Sequence, residues 1–214
     1  WTEDGWFTVN EGKGPSLTQI APDLPECIYE RNLFDDFNDT KLNLEWEFVR
    51  NPDNGSWSLT EHPGYFRIWT RDGQLNEIRA EFYPDKDGEQ AGLTCYYSTA
   101  TYARCSLCYE GGRKIQLVIN RNHGEELIAE VDNVKETPVY LKVVVEKLTR
   151  TFYYSYDGQK WEKVGALENC IYLCDEGVPD DPKRHTGTLV GIYANNGGCG
   201  SRKAADFDYF KYED

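Results

Sequence analysis

Short apolar runs recur along most of the chain, separated by polar and turn-forming residues at intervals of about ten. In the run 113–119, Ile115, Leu117 and Ile119 alternate with polar residues, which is typical of a half-buried antiparallel strand. No run has a clear helical period. The pattern therefore predicts an all-β fold, an antiparallel sandwich or barrel. The runs that predict strands are 65–70, 93–97, 101–109, 113–119, 139–145, 151–156, 189–193 and 205–212.

The regions between and before these runs have the composition of turns and linkers. Residues 1–30 are rich in Gly, Pro and polar residues and predict a tail or linker, which leaves 31–214 as the sandwich domain. Asp157 and Gly158 follow a strand run and predict a tight hairpin turn, because glycine adopts positive φ without strain. The stretch 174–187 is the longest loop inside the domain, and such a loop is either functional or plain solvated surface.

The charge balance excludes some partners. Lys and Arg number 23 against 37 Asp and Glu, a formal charge of −14, and no basic run is present. Nucleic acid and anionic membrane surfaces are therefore excluded as partners, because both are bound through clustered basic residues. No apolar run approaches the roughly 20 residues of a membrane span. Neutral or cationic ligands remain. The aromatic content of 14% is a first indication of function, although Tyr and Trp are also common strand formers.

The seven cysteines show no spacing typical of a disulfide framework. Reduced thiols and a cytoplasmic location are expected. Secretion is the alternative, and Asn38 and Asn54 would then be candidate glycosylation acceptors. Cys105 and Cys108 lie three apart in a predicted strand, so they face opposite sides and cannot hold one zinc ion together.

Catalytic chemistry has few candidates. The three histidines lie in turn-like settings, and the chain has no nucleophile elbow, phosphate loop or zinc-protease motif. The segment 130–136 is similar to the Glu-x-Asp-x-Glu strand motif of sandwich-type glucanases, but the position of Glu136 does not fit that spacing. We interpret the segment as a solvated acidic turn. A glycoside hydrolase using Glu130 and Asp132 is kept as an alternative.

Glycan binding accounts better for the aromatic residues. Sugars stack their C–H faces on Tyr and Trp rings, and their hydroxyls hydrogen-bond to Asn, Asp and Arg. The candidate glycan-binding residues on the predicted strands are Trp69, Tyr102, Arg104 and Tyr154. A sandwich also needs large inward-facing residues, so packing in the core is the alternative role for each.

Several segments between Leu33 and Tyr212 carry a resemblance to a known family. They are residues 34–42, 45–46, 50–52, 57–60, 63–65, 90–93, 186–187, 190–191 and 205–210. Together they resemble the C-terminal module of glycoside hydrolase family 43 β-xylosidases, which implies a concanavalin A-like, two-sheet jelly-roll sandwich. The opening residues 1–6 are similar to the end of that family's catalytic propeller. The resemblance therefore implies that the catalytic carboxylates lie upstream of Trp1.

The resemblance also implies a function. It implies a non-catalytic accessory module of a hydrolase that degrades xylan or arabinoxylan, with an upstream catalytic propeller and xylan or xylo-oligosaccharide as partners. An autonomous carbohydrate-binding module is the alternative. In the family, a sandwich loop reaches the mouth of the active site, often with an aromatic residue before a Thr-Gly pair. Here that position is His185, which precedes Thr186.

Two further expectations follow from the resemblance. No cofactor is required, but similar sandwiches sometimes carry a structural calcium ion between the first and last strands, where Asp36 and Asp208 lie. Between Ile78 and Tyr83 the chain is shorter than the family pattern by about one strand.

Overall fold

The computed structural model describes residues 2–18, 23, 25, 34–48, 55–70, 80–133, 135–178 and 187–212. The chain divides into two compact units, Trp1–Asn32 and Leu33–Asp214. In the first unit, a short 3₁₀ turn spans Asn10–Gly12, and the amide of Thr2 donates to the carbonyl of Trp6 at 2.6 Å. Within the described residues, no helix has the length and apolarity that crossing a membrane would require.

The second unit is built from antiparallel strands. Its described residues contain no α-helix, and the 3₁₀ turns Cys170–Leu173 and Asp175–Gly177 are short. The strands are β1 (Phe34–Asp35), β2 (Trp57–Ser58), β3 (Phe66–Trp69), β4 (Ala80–Glu81), β5 (Gln90–Ser98), β6 (Thr101–Tyr109), β7 (Arg113–Arg121), β8 (Gly124–Asp132), β9 (Tyr140–Glu146), β10 (Thr149–Ser155), β11 (Glu162–Leu167), β12 (Leu189–Asn195), β13 (Ala204–Phe207) and β14 (Phe210–Lys211).

The described strands pair into four sheets. The largest has the strand order β12-β5-β6-β7-β8, the next are β2-β3-β13-β4 and β11-β10-β9, and β1 pairs with β14. Every pairing is antiparallel. The all-β fold predicted from the alternating pattern is therefore confirmed. The predicted run 205–212 is divided into β13 and β14.

The core lies between the five-stranded sheet and the three- and four-stranded sheets. Ile115, Leu117 and Ile119 of β7 are each 0% exposed, so the predicted apolar face of this strand is confirmed. Phe152 of β10 and Phe207 of β13 belong to the same core cluster as Ile115 and Leu117. Each side chain of this size contributes about 1.5–3 kcal/mol when buried, so the alternating positions hold the sheets together.

Two hairpin connections contain residues with a left-handed backbone. Gly158 has φ +70 and lies in the connection between β10, which ends at Ser155, and β11, which begins at Glu162. The predicted hairpin is confirmed, but its connection, residues 156–161, is longer than the tight turn that was predicted. Asn122 and His123 connect β7 to β8 with φ 50 and 65. Two successive left-handed residues match the right-handed twist of the flanking strands. The second turn fixes the register of β7 against β8.

Strand β8 corrects the interpretation of residues 130–136 as an acidic turn. Glu130 and Asp132 lie in the last three residues of this strand and pair with Gln116 and Lys114 of β7. The register shifts between Leu117 and Val118 of β7. Such a bulge breaks the alternation on which the sequence interpretation depended. β8 is also a sheet edge in this sheet, and its charged residues protect that edge from pairing with another chain.

The two cysteines of β6 face opposite sides of the sheet. Cys105 is 0% exposed in the core, whereas the thiol of Cys108 contacts the carbonyl oxygen of Lys114 at 3.8 Å on the other face. The prediction that they cannot share a metal ion is therefore confirmed by their geometry. Burial raises the pKa of Cys105, and burial raises that of Cys108 to about 12. Both are protonated thiols at neutral pH, and the cytoplasmic location stays a prediction.

Candidate functional site

The five-stranded sheet has a second face, opposite the core, that is largely polar. Cross-strand pairing arranges its side chains in four rows, which we call the polar face. The rows are Tyr96, Tyr102, Asn120 and Glu125; Thr94, Arg104, Val118 and Leu127; Tyr193, Ser106, Gln116 and Glu130; and Gln90, Cys108, Lys114 and Asp132.

Much of the polar face is inaccessible to solvent. Gln116, expected on the solvated side of its strand, is 3% exposed, and Tyr193 is 1% exposed. Buried polar groups require hydrogen-bond partners. The amide of Gln116 donates to Glu110 at 2.9 Å and to Glu130 at 3.2 Å. The phenol of Tyr193 donates to Gln90 at 2.9 Å. The face is therefore an ordered hydrogen-bond network.

Arg104, Glu125 and Tyr102 form the centre of this network. The Arg104 side chain donates from Nε to Oε1 of Glu125 at 3.3 Å and from Nη2 to Oε2 at 3.1 Å. Its Nη1 donates to the hydroxyl of Ser106 at 3.1 Å. The phenol of Tyr102 donates to Oε1 of Glu125 at 2.7 Å. This forked pairing fixes the orientation of both charged groups.

The electrostatics keep this pair charged. Burial opposes the charge of Arg104, but Tyr193 and Glu125 outweigh that effect, so the pKa of the guanidinium is raised. Burial likewise opposes the charge of Glu125, but hydrogen bonds from Arg104 lower its pKa. Burial, together with the neighbouring Glu125 carboxylate, raises the pKa of Tyr102. Near neutral pH the centre therefore holds an arginine cation, a carboxylate and a neutral phenol.

Asn120 and Glu125 belong to this centre but were not predicted from the sequence. Asn120 pairs with Tyr102 across β6 and β7, and with Glu125 across β7 and β8. Asn120 is 5% exposed, and within the described part of the chain its Oδ1 has no hydrogen-bond partner. An asparagine in a strand run carries no sequence signal for this role; only the register reveals it.

Trp69, a predicted glycan-binding residue, lies apart from this centre. It ends β3 in the four-stranded sheet, and its Nε1 donates to Glu61 at 3.1 Å. The guanidinium of Arg202 lies 4.7 Å from its ring centroid and that of Arg67 lies 5.5 Å away. These cation–π contacts occupy the ring with the protein's own cations. The structure therefore separates Trp69 from Tyr102 and Arg104.

Tyr154 lies in the hydrophobic core, which corrects its prediction as a glycan platform. It is 6% exposed and belongs to the core cluster. Its phenol donates to Glu162 at 2.8 Å. Burial raises its pKa to about 12. The even-numbered positions of β10 face inward, so alternation placed the ring inside, and no ring face is left for a sugar.

Glu130 and Asp132 do not have the features of a glycosidase pair. Lys114 Nζ lies 3.2 Å from Glu130 and 2.8 Å from Asp132. Hydrogen bonds from Gln116 and Lys114 lower the pKa of Glu130. A general acid for glycoside cleavage requires a raised pKa. Glu130 is therefore held in the ionised state, and the same ammonium group also forms an ion pair with Asp132.

The candidate calcium residues lie near the paired first and last strands. Asp36 directly follows β1, and its carboxylate accepts the amide of Asn38 at 3.2 Å. Hydrogen bonds from Asn38 lower its pKa. Asp208 lies between β13 and β14. Among the described residues, no group of three or more His, Cys, Asp or Glu side chains is arranged to hold a metal ion. A calcium site at Asp36 and Asp208 stays a prediction.

The predicted active-site-mouth residues, His185 and Thr186, lie outside the described residues. The chain on one side of that stretch is anchored, because the hydroxyl of Thr188 donates to the carbonyl of Leu173 at 2.8 Å. The mouth role of the two residues stays a prediction.

The antiparallel sheets, the shared core and the polar outer face define a β-sandwich domain. The family model of the β-xylosidase C-terminal concanavalin A-like domain matches residues 34–81 and 76–213. The chain belongs to this family, the C-terminal domain of glycoside hydrolase family 43 β-xylosidases.

Known relatives are longer than this chain. It is 29% identical to a β-xylosidase of Bacillus subtilis strain 168, over 99% of this chain and 44% of the relative. The crystal structure of the family 43 BlXynB protein from Bacillus licheniformis is 46% identical, with a TM-score of 0.83, over 99% of this chain and 45% of that chain. The crystal structure of xylan β-1,4-xylosidase from Bacillus halodurans C-125 is 28% identical, with a TM-score of 0.82. The match covers 100% of this chain and 45% of that chain. The chain spans slightly less than half the length of these relatives.

The comparisons also bear on the expected shortening near residue 80. The family match breaks into two pieces that meet at residues 76–81. The alignment with the Bacillus subtilis enzyme is 238 residues long, whereas this chain has 214. The relative therefore has residues without a counterpart here, and the break in the family match supports their location near residue 80.

Proposed function

We propose that this chain is the accessory domain of a larger hydrolase that acts on xylan or arabinoxylan, and that its polar face binds the glycan. Family membership carries the first part of the proposal, since the chain corresponds to the C-terminal part of β-xylosidases and spans 44% of a curated one. Bond cleavage is then the task of the remainder of the protein, an upstream catalytic propeller.

The ion pairs that Glu130 and Asp132 form with Lys114 support a non-catalytic role for the chain itself. A retaining or inverting glycosidase needs one carboxylic acid that stays protonated near neutral pH. Hydrogen bonds from Gln116 and Lys114 favour the opposite, ionised state of Glu130, and Lys114 also forms an ion pair with Asp132. In this proposal His185 and Thr186 contribute to the mouth of the active site, as the family resemblance implies.

The polar face supports the glycan-binding part of the proposal. Tyr102 supplies a half-buried ring, and Arg104 and Glu125 supply oriented polar groups beside it. An aromatic ring next to fixed hydrogen-bonding groups is the usual composition of a sugar site. The same face favours the second candidate function, an autonomous carbohydrate-binding module.

Calorimetric titration of the chain with xylohexaose tests the glycan-binding role. We expect measurable binding and a loss of about tenfold in affinity for Tyr102→Ala, because an aromatic contact contributes about 0.5–1.5 kcal/mol. Tyr153→Ala is the matched control, since Tyr153 lies on β10 in another sheet. Equal losses for both variants, or no binding heat at all, would contradict this part of the proposal.

A further inference from the structure

Two arginines at one end of the sandwich have no carboxylate partner among the described residues. Arg121 ends β7, and Arg150 is the second residue of β10, so they belong to different sheets. Neither forms an ion pair with a described Asp or Glu. In contrast, Arg67 and Arg104 each lie within 3.1 Å of a carboxylate oxygen. In a chain with a formal charge of −14, two cations without a counter-ion require an explanation.

Tyr172 brings the two guanidinium groups to one surface. It lies in the 3₁₀ turn that begins at Cys170, and the amide of Cys170 donates to the carbonyl of Leu148 at 2.7 Å. This bond holds the turn against the connection between β9 and β10. The guanidinium carbon of Arg121 lies 4.7 Å from the centroid of the Tyr172 ring. Arg150 is close enough for its charge to act on the same phenol. The three side chains therefore converge from β7, β10 and the 3₁₀ turn.

Tyr172 does not supply the missing negative charge. Burial and the neighbouring Cys170 raise the pKa of Tyr172. The positive charges of Arg121 and Arg150 oppose that shift without reversing it. The phenol is therefore uncharged near neutral pH. Its ring supports Arg121 through a cation–π contact, which uses the face of the guanidinium and leaves the N–H groups at its edge available.

Both arginines have N–H groups that a ligand can reach. The side chain of Arg121 is exposed. Arg150 is 8% exposed, and its Nη1 donates to the carbonyls of Lys147 at 2.8 Å and Thr149 at 3.3 Å, which fixes the guanidinium plane. Within the part of the chain that the structure describes, Nη2 of Arg150 has no acceptor, yet it is not enclosed, in contrast to Nε. The surface therefore presents an accessible fork on Arg121 and a fixed N–H group on Arg150.

The chemistry of these donors selects a ligand with a single negative charge. A carboxylate matches the fork of a guanidinium group and accepts hydrogen bonds on both of its oxygens. A negative charge of the protein lies close by, because the hydroxyl of Thr149 donates to the exposed carboxylate of Glu168 at 2.8 Å. This neighbour disfavours a more highly charged group such as phosphate. A carboxylate is therefore the anion that fits two arginines in an otherwise acidic chain.

We propose that Arg121, Arg150 and Tyr172 form a site for the carboxylate group of an acidic sugar, such as a glucuronic acid branch on a xylan chain. The N–H groups of both arginines donate to the carboxylate oxygens, and the Tyr172 ring holds Arg121 in place. The choice of a sugar rests on the proposed function of the chain, whereas the choice of a carboxylate rests on the two arginines. The overall charge favours neutral or cationic ligands, but the local environment decides what binds at this end of the sandwich.

Calorimetric titration of the full 214-residue chain at low ionic strength tests this site. The probes are xylohexaose and a xylo-oligosaccharide of the same length that carries one glucuronic acid. We expect the acidic probe to bind at least about fivefold more tightly, because partly exposed charge-assisted hydrogen bonds have an effect of this size. The preference should narrow in about 1 M salt, where the Debye length is about 3 Å. Free glucuronate, titrated separately, shows whether the sugar acid alone or the branched glycan is the better ligand.

A pair of matched variants separates the site from the net charge. Arg121→Gln removes an exposed guanidinium, and we expect it to abolish the preference for the acidic probe. Arg202→Gln is the control, because Arg202 is also exposed and its guanidinium carbon also lies 4.7 Å from an aromatic centroid, that of Trp69. Both variants change the net charge equally. Arg121→Lys keeps the charge without the fork and should retain only part of the preference. Circular dichroism checks the fold of each variant.

The outcomes distinguish this inference from the glycan-binding role of the polar face. Equal affinity for both probes, or weaker binding of the acidic probe, overturns the carboxylate site. A preference that survives in Arg121→Gln, or that falls equally in Arg202→Gln, also overturns it. If the acidic probe binds in an Arg121-dependent manner and xylohexaose does not bind, the carboxylate site stands and the role of the polar face is overturned.

Discussion

At the scale of single residues, Arg104 shows how the sheet accommodates a charge. Its side chain is 8% exposed, yet it remains an arginine cation because the Glu125 carboxylate receives two of its N–H groups. An unpaired guanidinium at this depth would lose far more hydration than a surface residue. Glu125 therefore contributes to stability as well as to the candidate site.

Replacing Glu125 tests this contribution. Glu125→Gln should lower the free energy of unfolding by about 1 kcal/mol near neutral pH, since charge-assisted hydrogen bonds become neutral ones and the half-exposed carboxylate is partly screened. The folded-state pKa of Glu125 is lowered from its ordinary value of 4.5. Its stabilisation is thus fully present above that value and is lost as the pH falls through the folded pKa. The difference in free energy of unfolding between Glu125→Gln and the unmodified chain should therefore become smaller at acid pH.

Urea unfolding at neutral pH and at about pH 3 measures the free energy of unfolding of the variant and of the unmodified chain. Glu126→Gln serves as the control, because Glu126 is exposed at the adjacent position of β8. A stability difference for Glu125→Gln that stays constant with pH would contradict the electrostatic explanation.

At the scale of elements, the hairpin between β10 and β11 depends on one glycine. Gly158 has φ +70, and a Cβ atom there would lie 3.0 Å from Cε1 of Tyr140. The turn therefore requires glycine twice, for its backbone conformation and for the close approach of the Tyr140 ring. Asp157 assists, since its carboxylate accepts the amides of Gln159 at 2.8 Å and Lys160 at 2.7 Å.

Two glycine variants separate these requirements. Gly158→Ala should destabilise the fold by about 1–2 kcal/mol for the left-handed conformation, with an added cost for the contact with Tyr140. Gly111→Ala is the matched control, because Gly111 has φ +61 and a Cβ there meets nothing within 4 Å. We expect a lower melting temperature for Gly158→Ala than for Gly111→Ala. Equal melting temperatures would show that the tyrosine contact is unimportant.

At the scale of the whole molecule, the chain corresponds to slightly less than half of its β-xylosidase relatives. We expect the isolated chain to show no turnover of aryl xylosides or aryl arabinosides. A chromogenic assay across neutral pH measures this. Turnover of about 1 per second or more, a rate typical of enzymes, would overturn the accessory role. Glu130→Gln and Asp132→Asn variants would then identify the responsible carboxylates.

How much of the fold was predictable depended on local periodicity. Ile115, Leu117 and Ile119 revealed β7 because its core face is strictly alternating. β8 was missed because a bulge shifts its register, and its apolar residues no longer alternate. Periodicity gives the existence of a strand, whereas pairing between distant segments decides where a bulge lies.

The candidate site was less predictable than the fold. Tyr102 and Tyr154 have the same residue type in similar strand runs, yet Tyr154 lies in the core and Tyr102 on the polar face. A single strand shows which residues share a face but not which face is inward. Asn120 and Glu125 became visible only through their register with Tyr102.

The burial of the β6 thiols determines where the chain can be labelled. Cys105, Cys108 and Cys170 are buried, whereas Cys199 is exposed in the segment between β12 and β13. Maleimides react with accessible thiolates, so these buried thiols are protected from them. Among these four thiols, a dye or a biotin linker will therefore attach preferentially at Cys199. That position lies outside the four rows of the sheet, so a label there leaves the polar face unmodified.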